Sequence, residues 1–209
     1  MRITNAFYLI VDVETTCSDD GSVPRHEMEI IEIGTVLQNT RTFEVVSEFQ
    51  TFVCPVRYPE LTGFCTRLTG ITQEHVASAP SFPEALDALK AWKEMSGDAL
   101  FCSWGEYDRT QFVQDCAFHR VAYPFGAEHL NLKAAFARTR GLHKPLGIAA
   151  ALRSPGMAFE GTHHRTIDDA RTIARIVRWV CIGTQAPPRA SDEDVIRLNC
   201  NKLLRKSRL

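Results

Sequence analysis

A buried strand that runs straight into a helix constrains this chain more than any other feature. Asp98 to Trp104 (DALFCSW) is an apolar run of strand length, and from about Glu106 to His119 the residues Phe112 and Cys116 recur on one helical face. Strand-then-helix units point to an α/β domain. Upstream, Phe7–Val13 is apolar and β-rich, and Ile30–Leu37 and Arg41–Val53 resemble two further strands. The Gln38-Asn39-Thr40 break joins those two as a hairpin, so the first strands are expected to run antiparallel. A Pro- and Gly-rich loop is expected from Cys54 to Pro80; beyond it Phe82, Leu86, Leu89 and Trp92 recur at helical spacing, opened by Ser81 and closed near Gly97. Asn131–Thr139 and Leu146–Leu152 are shorter helices. Thr166–Cys181 is the strongest, with Ala170, Ile173, Ala174, Val177 and Cys181 as its apolar stripe.

With 209 residues and 44% hydrophobic content, one sizeable core is expected, in a domain over 1–183 followed by an extension over 184–209. From Val195 to Leu209 that extension holds Arg197, Lys202, Arg205, Lys206 and Arg208 with no acid; it is basic, and Val195, Leu198, Leu203 and Leu204 would give a helix there an apolar face. Seven scattered cysteines without a C-x-x-C pair fit free thiols in a reducing compartment. The apolar stretch Phe7–Val11 is too short for a signal peptide or a membrane span, so the protein is read as cytoplasmic. A formal charge of -1 excludes the bulk basicity of a histone-like protein, and nucleic-acid binding would need local patches or bound metal.

Three carboxylate signals follow. Asp12-Val13-Glu14 ends an apolar strand, and positions i and i+2 share a face, so the two acids converge on one spot. They are either solvated surface charges or oxygen ligands for a hard divalent ion such as Mg²⁺ or Mn²⁺. Asp108 lies in the first turn of a helix, on the stripe of Phe112 and Cys116, as an N-terminal cap or as an inward ligand. The third signal is HHRTIDDAR at residues 163–171: Asp169 projects beside Ala170, Ile173 and Val177, whereas Asp168 falls on a polar face as a cap or a partner of Arg171 or Arg175. His164, five residues before Asp169, is close enough to reach the same cavity; His163 is set aside.

In this order, D-x-E, then W-G-x-x-D at a helix start, then H-x-x-x-x-D, the chain resembles the DEDDh family of 3'-to-5' exonucleases from about Ala6 to Val180. DVETTC, FCTRLTGIT, CSWGEYD and HHRTIDDARTIARI look like the enhancer-of-RNAi and sporulation-inhibitor subgroup of exoribonucleases, which trim RNA 3' ends. The DEDDy variety places Tyr four residues before the last Asp, and Arg165 stands there instead.

The resemblance implies an RNase H-like fold, a mixed central sheet flanked by helices, and makes 1–183 the exonuclease domain. It implies that Asp12, Glu14, Asp108 and Asp169 hold two Mg²⁺ or Mn²⁺ ions, with Asp12 bridging and Asp108 acting through water. Such ions, about 3.5–4 Å apart, stabilise the attacking and leaving oxygens of an in-line displacement. His164 would be the general base, and a single-stranded 3' end, of RNA before DNA, the substrate, releasing nucleoside 5'-monophosphates. Phe64 and Leu68 would pack on the terminal base and sugar with Trp104 as a second platform, unless these side chains serve the core instead. Val13 and Thr15 would offer backbone contacts, and Arg165 would touch phosphate. A further nucleic-acid-binding module, common in the subgroup, finds no room in 209 residues, which puts stem-loop recognition in doubt. The alternatives are a DNA exonuclease of proofreading type and a non-catalytic nucleic-acid-binding regulator on the same fold. Two divalent ions would move the net charge from -1 to +3, so nucleic-acid binding is expected to depend on metal.

Overall fold

The computed structural model describes residues 5–94, 97–153 and 156–182; the basic stretch 184–209 lies outside the described residues. Among the described residues, five strands, β1 (Phe7–Thr15), β2 (Ile30–Asn39), β3 (Val45–Phe52), β4 (Ala99–Ser103) and β5 (His129–Asn131), form one sheet in the order β3-β2-β1-β4-β5. The pairs β1–β2 and β2–β3 are antiparallel, and β1–β4 and β4–β5 are parallel. The antiparallel start and the α/β class expected from the sequence are both present.

Among the described residues, seven α-helices accompany the sheet: α1 (Gly63–Thr69), α2 (Gln73–Ala77), α3 (Phe82–Glu94), α4 (Tyr107–His119), α5 (Leu132–Thr139), α6 (Ile148–Arg153) and α7 (Thr166–Ile182). Alternation along β1 divides the core. Tyr8 and Ile10 pack with Phe136 and Leu152 and with Ala170, Ile173, Ala174 and Val177 of α7, whereas Leu9, Val11 and Val13 pack with Leu86, Leu89 and Phe112 of α3 and α4. Both faces of the central strand are therefore dry over Tyr8–Val11. Each fully buried Ile or Val of α7 contributes about 1.5–3 kcal/mol by leaving water, which anchors that helix against the sheet.

The segment between Cys54 and Pro80, expected as a loop, contains α1 and α2. Both are short, and their signals are caps: the Thr62 hydroxyl accepts from Cys65 N–H at 3.0 Å and donates to the Cys17 carbonyl at 2.6 Å. The hairpin turn also shifts. Gln38 and Asn39 remain in the ladder opposite Tyr8 and Phe7, and the Asn39 side chain accepts from Arg41 N–H and Thr42 N–H at 2.8 and 3.0 Å, an Asx turn that delays β3 to Val45. Strand β5, only three residues long, had no periodicity to reveal it.

Candidate active site

Because Asp12 and Glu14 alternate with buried Val11 and Val13, they face the α7 side of the sheet as β1 leaves the core. Opposite Asp12 in the ladder is Gly34, and any Cβ there would collide with the backbone of Thr166 and Ile167. The glycine lets the first turn of α7 press onto β2 beside Asp12. That turn carries Asp169 inward, 2% exposed, while Asp168 turns out to Arg171 at 3.1 Å and accepts from Thr162 N–H at 2.9 Å. From the other side, α4 delivers Asp108, 5% exposed, whose Oδ1 accepts from Val13 N–H at 3.2 Å.

The 163–165 loop closes the site. His164 holds φ +65, in the left-handed region, and its N–H donates to Asp169 Oδ2 at 2.9 Å. Its Nδ1 lies 3.4 Å from Glu14 Oε1. The residue that sequence reasoning set aside is there too: His163 Nδ1 lies 2.9 Å from Asp169 Oδ1. The doubled histidine was the available signal.

Asp12, Glu14 and Asp169 offer carboxylate oxygens that all lie within 4.8 Å of one another. Burial, then the neighbouring Asp108, Asp169 and Glu14 charges, push Asp12 well above the ordinary carboxylate range. Burial raises Glu14 against the lowering pull of its His164 hydrogen bond, raises Asp169, and pushes Asp108 up to about 7. Hydrogen bonding to Glu14 raises His164. Like charges buried this close together favour a cation among them, and an all-oxygen carboxylate set fits hard Mg²⁺ or Mn²⁺.

These groups line a cleft of about 390 Å³ with Val13, Thr15, Leu68 and Trp104. Leu68 is 40% exposed on α1; Phe64, one turn earlier and half-buried, does not line the cleft. Trp104 is largely core, its Nε1 donating to the Leu146 carbonyl at 3.0 Å. Thr15 Oγ1 pairs with Tyr107 Oη at 2.7 Å. Val13 lines the cleft with its N–H engaged by Asp108 Oδ1. Arg165 is not in the cleft: its Nε and Nη2 bind buried Glu32, at 2.9 Å for Nη2, because that carboxylate, 0% exposed, requires a counter-charge. The cleft's arginine is Arg25, and Met28, Tyr107 and Ile148 also line it without having been expected. A larger cavity of about 480 Å³ at the far end of β2, lined by Phe43, Met157, Arg178 and Trp179, contains no such acid cluster.

Comparison with known proteins places this geometry. The family model described as Exonuclease (RNase T) matches residues 9–177, a span that includes all four acids and His164. The chain belongs to this exonuclease family. Human 3'-5' exoribonuclease 1 is 33% identical over 178 residues, 81% of this chain and 51% of that protein, and mouse ERI1 exoribonuclease 3 is 31% identical over 182 residues, 82% and 52%. The chain thus spans about half the length of the curated relatives it matches. The nuclease domain of 3'hExo, a DEDDh family member solved with rAMP, superimposes with TM-score 0.76 at 30% identity, covering 85% of this chain and 92% of that one. A 3'-exonuclease solved in its recognition of a histone mRNA stem-loop gives 0.79 at 30% identity, covering 86% and 65%. The chain is of the DEDDh, ERI1 type, on the RNase H-like fold expected from its motifs.

Proposed function

We propose that this chain is a divalent-metal-dependent 3'-to-5' exoribonuclease that trims single-stranded RNA 3' ends and releases nucleoside 5'-monophosphates. The observation that carries the reading is the convergence of Asp12, Glu14 and Asp169 within 4.8 Å, with His164 over them and Asp108 behind. The likeness to a nuclease domain solved with rAMP supports RNA over DNA.

Asp12, Glu14, Asp108 and Asp169 would hold two Mg²⁺ or Mn²⁺ ions, which when bound offset the charge of the scissile phosphate and of the attacking and leaving oxygens. His164, oriented by its left-handed backbone and by Glu14, takes the proton from the attacking water. Leu68 gives an exposed apolar surface for the terminal base and sugar, with Phe64 flanking it on α1, and Trp104 forms part of the cleft wall. Thr15 faces the same nucleotide, and Arg25 is the cation that meets phosphate. The free thiols of Cys17, Cys54, Cys65, Cys102 and Cys116 support a reducing, cytoplasmic setting.

The test is mass analysis of products from matched RNA and DNA oligomers with free or blocked 3' ends. Stepwise 5'-monophosphate release from free RNA ends is expected, and Asp12→Ala should lower it by about two orders of magnitude or more. Full activity of that variant would refute the site. Equal trimming of DNA would make the enzyme a general exonuclease, and binding without product a regulator.

A further inference from the structure

Only one of the two loop histidines has a task in hydrolysis. His163 nevertheless sits as close to Asp169 as a hydrogen bond allows, 2.9 and 3.2 Å from its two oxygens. Its ring stacks on that of His164 with centroids 4.2 Å apart and planes 11° from parallel. His163, His164 and Asp169 together offer ligand atoms that all lie within 4.8 Å of one another. This donor set differs in kind from that of Asp12 and Glu14: two imidazole nitrogens and one carboxylate oxygen suit a borderline transition ion, and two His with one carboxylate is a recurring zinc combination.

The surroundings permit such an ion to be gripped. Zinc bonds of about 2.0–2.2 Å place tetrahedral ligand atoms somewhat closer together than the outer limit of this cluster, and stacked rings aim their in-plane lone pairs in parallel, so the side chains must draw in and the rings tilt apart. The two rings can do so: their side chains are 45% and 40% exposed, and neither belongs to the core. Asp169 is the fixed member, its first turn pinned at Gly34 and its Oδ2 held by His164 N–H. Phe159, with its ring 5.2 Å from that of His163, backs the outer imidazole.

We propose that His163, His164 and Asp169 form a site for one Zn²⁺ ion that competes with the hard-ion site by sharing Asp169 and engaging the His164 imidazole. Its occupation silences the nuclease. The binding half of this statement is independent of the proposed reaction; the silencing half rests on it.

The experiment uses the full, tag-free chain in excess Mg²⁺ and titrates it with Co²⁺ as an optical stand-in for Zn²⁺. The expected result is a saturable visible absorption of four-coordinate Co²⁺ at one ion per chain, bleached by equimolar Zn²⁺ and lost in His163→Gln protein whose circular dichroism matches the parent's. In parallel, the Zn²⁺ concentration that halves Mg²⁺-supported nucleotide release should rise about tenfold or more in His163→Gln, each protein measured against its own zinc-free rate. An unchanged absorption in the variant, or a strong near-ultraviolet thiolate band marking cysteine ligation, would overturn the site. Zinc bound as described with no inhibition would overturn the silencing. An intact cobalt signal in a protein that releases no nucleotide would uphold the site and refute the exonuclease reading.

Discussion

At the scale of single residues, the site depends on an absence. Gly34 has no side chain, and α7 occupies the space where one would stand. Gly34→Ala must push Thr166 and Ile167 outward, an overpacking that costs about 1–3 kcal/mol, and Asp169 moves with them. The expected outcome is a melting temperature lower by about 2–4 °C per kcal/mol, together with a higher divalent-ion concentration for half-maximal nuclease activity; a variant with the parent's melting curve and metal titration would contradict this. The inward faces of Asp12 with Glu14, of Asp108 and of Asp169 were legible beforehand because periods of 2 and 3.6 assign faces without a structure, while their meeting at one site was implied only by the resemblance to the exonuclease family. What Gly34 does was not, since its neighbour is 132 positions away in the chain. The same holds for Arg165: nothing local shows that Glu32 will be buried beside it.

At the scale of elements, α7 is seated by more than its apolar stripe. Glu32 on β2 accepts from the Arg165 guanidinium and from Thr166 N–H at 3.2 Å, and Gln50 of β3 donates to it at 2.6 Å. Two strands and a helix start thus meet on one carboxylate. Arg165→Ala leaves Glu32 buried and without its counter-charge; because Arg165 is 26% exposed, the loss is about 2–3 kcal/mol rather than the full cost of a broken buried pair. Thermal unfolding should show this, and the metal concentration for half-maximal activity should rise. Arg165→Lys should recover only part of it, because an ammonium cannot reproduce the two-nitrogen grip. Long periodic elements such as β1, α3, α4 and α7 were visible in the sequence. The short ones, α1, α2 and β5, were not, because tertiary partners such as the Cys17 carbonyl on Thr62 and the edge of β4 hold them in place.

At the scale of the whole molecule, stability and pH are linked through buried acids. Asp115, 0% exposed and accepting from Ile30 N–H at 2.8 Å, is pushed up to about 7 by burial, above an unfolded value near 3.9. Between those values the folded state keeps a proton that the unfolded chain has lost. Its contribution therefore falls as pH rises from about 4 to 7, by on the order of 4 kcal/mol at most, and stays lost above. Metal-free Asp115→Asn protein should show a shallower decline of melting temperature across that window than the parent; an identical slope would refute the assignment. For the parent at pH 8, Mg²⁺ or Mn²⁺ should restore stability, since an ion bound only by the folded form favours it. The position of β1 decides where the strain of ion loss is felt. It is the third of five strands, bonded on both sides, so the strand bearing Asp12 and Glu14 is among the last to let go. The turn from Gly161 to Arg165 has no such ladder. Amide hydrogen exchange after chelation should accelerate first there, while β1 stays protected: the enzyme would lose its catalytic edge by local opening well before it loses its fold.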